Sequence, residues 1–203
     1  MVEGDVEKIM FCQCGAKKTL YSFLRRLGAG GLMLAVFLGA GAPGRQISLL
    51  SLAMNPGGPM PKKFTAEGQE ISPPLVWSNL PDETQELALI FEDLDVPRVH
   101  WVVYRIPAKA GGLPQRLPRG DVLTKPDKLS GTIQGLTGFR GDSPGYHGPN
   151  PSHSKLNHYR FTIYALDARL GLQPGLDKPS LLILIQDHVI GEGALNVTYT
   201  ASR

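Results

Sequence analysis

Apolar and polar positions alternate in short runs along most of this chain, and Gly, Pro and Asx clusters bound the runs. That pattern predicts strands and tight turns rather than long amphipathic helices. The clearest runs are Glu86–Glu92 (ELALIFE) and Val99–Ile106 (VHWVVYRI), both rich in β-branched and aromatic residues. Leu75–Ser78, entered through Pro73-Pro74, predicts a short strand, and Tyr159–Leu166 (YRFTIYAL) predicts a longer one. Ile47–Ala53 predicts the first strand, and Leu195–Ala201 (LNVTYTA) alternates cleanly and predicts the strand that closes the sheet. A helix is expected from Asp177 to about His188, with Asp177 as N-cap and Pro179 in the first turn. Two long loops, Pro107–Gly131 and Gly138–Ser154, interrupt the strands. Loops of that length in a compact domain are usually functional. The expectation is one mainly β domain, 43–203, of two packed sheets with a late helix.

The first forty residues do not fit that pattern. Lys17, Lys18, Arg25 and Arg26 precede an uncharged stretch, Leu27–Ala42, whose apolar centre is Leu32–Leu38 and whose exit is Ala40-Gly41-Ala42. A basic flank, a short apolar run and a small-x-small exit make up a secretory signal peptide. Residues 1–42 are therefore expected to be a signal peptide or membrane-targeting tail, and the rest to be periplasmic or secreted. The alternative is an uncleaved anchor at residues 27–42, although the run is short and glycine-rich for a span.

Composition changes this picture little. Gly 24 and Pro 17 among 203 residues suit a loop-rich β domain. Net charge is only +3, so a nucleic-acid partner is not expected. Residues 1–42 hold 5 of the 21 basic and 3 of the 18 acidic residues, which leaves the domain near neutral. They also hold Cys12 and Cys14, so the domain has no thiol chemistry. Neither a Walker A loop nor a dinucleotide fingerprint occurs, and no cofactor is expected.

Three segments carry candidate chemistry. Asp93-Leu94-Asp95-Val96-Pro97 turns one strand into the next and is followed by His100-Trp101. The turn brings a carboxylate and an imidazole to one end of adjacent strands, a pairing that can charge the imidazole or fix its tautomer. The plainer alternative is a capped turn beside a hydrogen-bonded core histidine. Strict alternation would put His100, Val102 and Tyr104 on one face and Trp101 and Val103 on the other. Gly145-Tyr146-His147-Gly148-Pro149-Asn150-Pro151 is a stiff loop whose glycine lets a backbone amide approach a ligand. At Asn157-His158-Tyr159, alternation places Asn157, Tyr159 and Phe161 on one face and His158 and Arg160 on the other. Two further patterns are set aside. Gly141-Asp142-Ser143-Pro144-Gly145 matches G-x-S-x-G but lacks the strand-to-helix setting that motif needs. His147, His153 and His158 have no ligand spacing that fits a metal, and no metal is expected.

Taken in order, these segments resemble the phosphatidylethanolamine-binding, or Raf-kinase-inhibitor-like, family, most of all its short bacterial members. Ile71–Trp77 is similar to the family's D-x-S-P-P-L-x-W, Leu87–Pro97 to L-A-L-I-x-x-D-P-D-x-P, and His100–Pro107 to H-W-x-x-x-N-I-P. Gly145–Pro151 is similar to G-Y-x-G-P-x-P, and Tyr159–Asp167 to Y-x-F-x-x-Y-A-L-D. The resemblance runs from about Ile47 to Tyr199. It implies a sandwich of two antiparallel sheets with a C-terminal helix, and a small anion-binding cavity at the sheet end. Carried over by position, Asp93, His100, Gly148 and Tyr159 would line that cavity, with Tyr146 and Pro149 shaping its mouth. The chain departs from the family at three points. Leu94 stands for the proline of D-P-D, which should loosen the turn, and Ser152 stands for a proline. Asn157-His158-Tyr159 stands where the family has His-Arg-Tyr, so Asn157 takes the cavity's second histidine position.

The resemblance implies a protein that binds a small phosphate-like anion or a phospholipid headgroup, and the N-terminal segment adds the expectation that it is exported. Membrane contact is expected only through the N-terminal segment or a lipid ligand. The alternatives are a hydrolase using Asp93 and His100, or a module that inhibits a protease or kinase partner. No Ser or Cys nucleophile stands at a motif position, so no catalytic residue is assigned.

Overall fold

In chain order the strands are β1 (Arg45–Gln46), β2 (Ser48–Leu50), β3 (Leu75–Ser78), β4 (Glu86–Asp93), β5 (Arg98–Pro107), β6 (Gly112–Leu113), β7 (Ile133–Gln134), β8 (Leu156–Leu166) and β9 (Val189–Thr200), with helix α1 (Lys178–Ile185) between β8 and β9. They come from a computed structural model in which residues 45–139, 144–152 and 155–202 are described. The expected export segment lies outside the described residues, as do Gly141 to Ser143 and His153.

Six strands form one sheet in the order β1-β9-β8-β4-β5-β7, and three form a second in the order β2-β3-β6. All pairs are antiparallel except the two-residue β1–β9 edge. The layers follow from side-chain alternation. Leu87, Leu89 and Phe91 of β4 enter the core shared with Leu49, Leu75 and Trp77 of the small sheet. Ala88 and Ile90 face the other way, under Leu181 and Ile185 of α1. Because both faces of β4 are covered, its sequence reads as a continuous apolar run. Asp177 caps α1 as expected, its carboxylate accepting from the Ser180 amide at 3.0 Å. Lys178 ties the helix to Glu92 of β4.

Two local features depart from simple alternation. The expected first strand, Ile47–Ala53, is instead a crossing between sheets. Ile47 still donates to Glu192 O of the large sheet at 2.8 Å, while Ser48–Leu50 pairs with β3. Gly193 makes that crossing possible, since a Cβ there would meet Ile47 O at 2.3 Å. In β5 the pairing with β4 slips twice, so two bulges interrupt the strand. One accommodates Arg105 at φ 55. The other falls at His100: Phe91 pairs with Trp101 and Glu92 with Val99, leaving His100 as the extra residue.

Candidate functional site

Antiparallel register places Arg98 and Tyr159 on either side of Asp93, at the end of β4. A cavity of about 190 Å³ opens there. Its inner wall is formed by Asp93, His100, Asn157 and Tyr159, all buried. Its outer part carries Arg98, Phe139, Asn150, Ser152 and Lys155.

The bulge corrects the expected facing of His100. Its imidazole packs on Phe91 and Tyr159, with ring centroids 5.3 and 5.6 Å away, on the core side that also holds Trp101. Val102 and Tyr104 face the helix instead. An extra residue in one strand shifts the alternation by one, so His100 and Trp101 share a face. His100 Nδ1 lies 3.0 Å from His147 O. A carbonyl only accepts, so Nδ1 carries the proton and the neutral ring's Nε2 is an acceptor. Burial lowers the pKa of His100 to about 4, against the raising effects of the His147 carbonyl and Asp93. Asp93 does favour the charged ring, as the sequence leads one to expect, but desolvation outweighs it and the ring is neutral at pH 7.

Asp93 spends its oxygens on the fold. Oδ1 accepts from the amides of Asp95 (2.8 Å) and Val96 (3.2 Å), an Asx turn, and Oδ2 accepts from Asn157 Nδ2 at 2.9 Å. Leu94 does not loosen this turn. Its amide, which a proline would lack, donates to His158 O at 2.8 Å. Burial first, then the Asp93 carboxylate, hold the Tyr159 hydroxyl protonated well above the usual phenol range. Asn157 Oδ1 has no hydrogen-bond partner among the described residues. Its neighbour His158 is exposed and faces away, its ring 3.1 Å from Asp95 Oδ2, so Asn157 and not His158 belongs to the cavity.

The stiff loop behaves differently from its expected role. Tyr146, Gly148 and Pro149 do not line the cavity, because each is committed to packing the loop down. The Tyr146 hydroxyl donates to Phe64 O at 2.7 Å while its ring packs on Phe91 and Trp101. The Gly148 amide donates to Glu70 Oε1 at 3.2 Å, and Pro149 O accepts from the Ala66 amide at 3.0 Å. Between them His147 clasps β5, donating its amide to His100 O at 2.9 Å. The loop thus fixes the imidazole rather than offering a free amide. Arg98, Phe139 and Lys155 are the residues that sequence reasoning missed. Arg98 sits over the Phe139 ring at 5.3 Å, and Phe139 stacks on His147 at 4.4 Å. Each cation stands two positions before a recognised wall residue, but a bulge falls at His100 and Lys155 precedes β8, so strand spacing does not single them out.

Relatives share this architecture. The UPF0098 protein of Methanothermobacter thermautotrophicus is 39% identical over 152 residues, 73% of this chain and 95% of its own. The UPF0098 protein of Aquifex aeolicus is 33% identical over 172 residues, 79% of this chain and 96% of its own. Among solved structures, a phosphatidylethanolamine-binding protein homologue from Chlamydia trachomatis superposes with TM-score 0.66 at 32% identity, covering 79% of this chain and 100% of that one. YbcL of Escherichia coli, described as a new member of the mammalian PEBP family, superposes with TM-score 0.66 at 23% identity and shares the fold. It covers 77% of this chain and 99% of that one. The family model for phosphatidylethanolamine-binding proteins matches residues 51–200, the span that contains both sheets' paired strands from β3 onward and every wall residue of the cavity. With the family model matching most of the chain and relatives agreeing in sequence and fold, this chain belongs to the phosphatidylethanolamine-binding protein family.

Proposed function

We propose that this protein is a non-catalytic binding protein for a small phosphate-bearing headgroup, free or carried on a lipid, and that residues 1–42 direct it out of the cytoplasm. The observation that carries the binding reading is the pair of cations at the cavity edge. Arg98 and Lys155 line the opening, and neither forms an ion pair among the described residues. A guanidinium and an ammonium are the usual partners of phosphate oxygens. The volume suits a headgroup rather than a whole lipid, since a cavity of about 150 Å³ accommodates benzene. The names of relatives point the same way, as binding proteins of the phosphatidylethanolamine class.

Hydrolysis is the weaker reading. An activated nucleophile is held in hydrogen-bond contact with its base, and among the described residues the His100 ring is bonded to the His147 carbonyl and to no serine, threonine or cysteine. Titration calorimetry with ethyl phosphate tests the binding reading. Saturable binding is expected, weakening with salt. Arg98→Ala and Lys155→Ala should each cost about tenfold, or about 1.4 kcal/mol. Equal affinity in the double variant would contradict it.

A further inference from the structure

The inner histidine of the cavity is held from outside it. His147 brackets His100 with its backbone: its amide donates to His100 O at 2.9 Å, and its carbonyl accepts from His100 Nδ1 at 3.0 Å. That carbonyl belongs to the same peptide group as the Gly148 amide. The group is trans, so its C=O and N–H point in opposite directions. On the side away from His100, the Gly148 N–H donates to Glu70 Oε1 at 3.2 Å. One planar group therefore joins a carboxylate that does not line the cavity to an imidazole that does.

Glu70 is itself held in place for this contact. Its Oε2 meets Arg119 Nη2 at 3.2 Å, and its Oε1 lies 4.0 Å from His147 Nδ1. Arg119 in turn lies over Gly145, where a Cβ would come within 3.1 Å of its Cγ. The backbone of Glu70 sits at φ 51, a left-handed conformation that glycine adopts freely and glutamate does not. A charged residue kept at a strained position is one whose side chain has a task there.

We propose that Glu70 is a positioning residue for the cavity: through the His147–Gly148 peptide group it fixes His100 in the Nδ1–H tautomer and so keeps the ring's other nitrogen, Nε2, an acceptor. A carboxylate that accepts from an N–H makes a charge-assisted bond, and hydrogen bonds joined through one group polarise each other. The negative charge of Glu70 thus makes the His147 carbonyl a stronger acceptor, which favours a proton on Nδ1 over one on Nε2. Without that charge the ring is freer to carry its proton on Nε2 and to act there as a donor. This inference rests on the cavity being the binding site, as proposed above. It adds to that reading the residue that sets what the cavity's histidine offers.

Nitrogen-15 spectra of the full chain at pH 7, taken without ligand, read the tautomer. Glu70→Gly removes the carboxylate and suits the backbone at φ 51, whereas Glu70→Gln keeps an acceptor oxygen and loses only the charge. In the glycine variant the Nδ1 proton of His100 should exchange with water about tenfold faster, equivalent to about 1.4 kcal/mol, and the Nε2–H form should become visible. The glutamine variant should fall between the glycine variant and the unaltered protein. A merely structural role for Glu70 would lower the denaturation midpoint and leave the tautomer and its exchange rate unmoved, and that result would overturn the proposal. An Nε2–H tautomer in the unaltered protein would overturn it as well. If the glycine variant fails to fold, the glutamine variant decides alone, and unchanged exchange of the Nδ1 proton then counts against Glu70. Because these spectra need no ligand, failure of the unaltered protein to bind ethyl phosphate in calorimetry would strike the headgroup reading alone.

Discussion

The neutral imidazole of His100 has a consequence for stability that can be measured. In an unfolded chain a histidine titrates near 6.5, whereas burial holds His100 at about 4 in the folded protein. Between those values the unfolded state binds a proton that the folded state refuses, so acid favours unfolding there. The stabilising difference is fully present above pH 6.5, declines as pH falls through 6 and 5, and is lost below about 4. A difference of about 2.5 pKa units corresponds to about 3 kcal/mol at 1.36 kcal/mol per unit. Several carboxylates also titrate in this range, so the comparison must be differential. Glutamine at position 100 can keep a donor to the His147 carbonyl but cannot be protonated. The stability gap between the wild type and His100→Gln, from denaturant curves, should therefore shift by about 3 kcal/mol in the variant's favour between pH 7 and pH 4. Nitrogen-15 spectra of the imidazole should show the neutral Nδ1–H tautomer at pH 7 and a midpoint well below 6. A stability gap that is flat with pH, or a midpoint at 6.5 or above, would refute the reasoning. The same property decides function: between pH 6 and 8, ligand affinity should not follow the titration of this histidine.

Gly148→Ala would push a Cβ to 2.7 Å from backbone atoms of Thr65 and its neighbours, so about 1–3 kcal/mol of stability should be lost while ligand binding persists in the folded fraction. Unchanged stability with lost binding would restore the amide to a recognition role. Asp177→Ala removes the N-cap of α1 and should cost about 1 kcal/mol, read as a lower denaturant midpoint; no change would mean that packing of Leu181 and Ile185 alone fixes the helix. N-terminal sequencing of the exported protein should begin near Pro43, and an intact Met1 or Met10 on soluble material would refute cleavage.

Sequence periodicity reveals strands where one residue follows another without interruption. In β8 the pairing with β4 is unbroken, so alternation correctly puts Asn157 and Tyr159 on the cavity side and His158 outside. In β5 a bulge adds one residue, and no residue type in Val99-His100-Trp101 marks it. The facing of His100 therefore followed from the partner strand, not from its own. The same limit applies at Ile47, where a single apolar stretch divides between two sheets because Gly193 admits its backbone. The loop residues Tyr146, Gly148 and Pro149 are legible as a rigid unit, but their partners Phe64, Ala66 and Glu70 lie about eighty residues away. Only the tertiary fold tells whether a stiff loop presents its amides or buries them. Arg98 and Lys155 were hidden because an isolated basic residue beside a strand is ordinarily surface.

The most direct test is a crystal of the protein grown with O-phosphoethanolamine, with the phosphorus located by anomalous scattering. The phosphorus should lie in the cavity within reach of Arg98 Nη and Lys155 Nζ. A phosphorus peak outside the cavity, or a cavity that stays empty at saturating ligand, would contradict the assignment of this site.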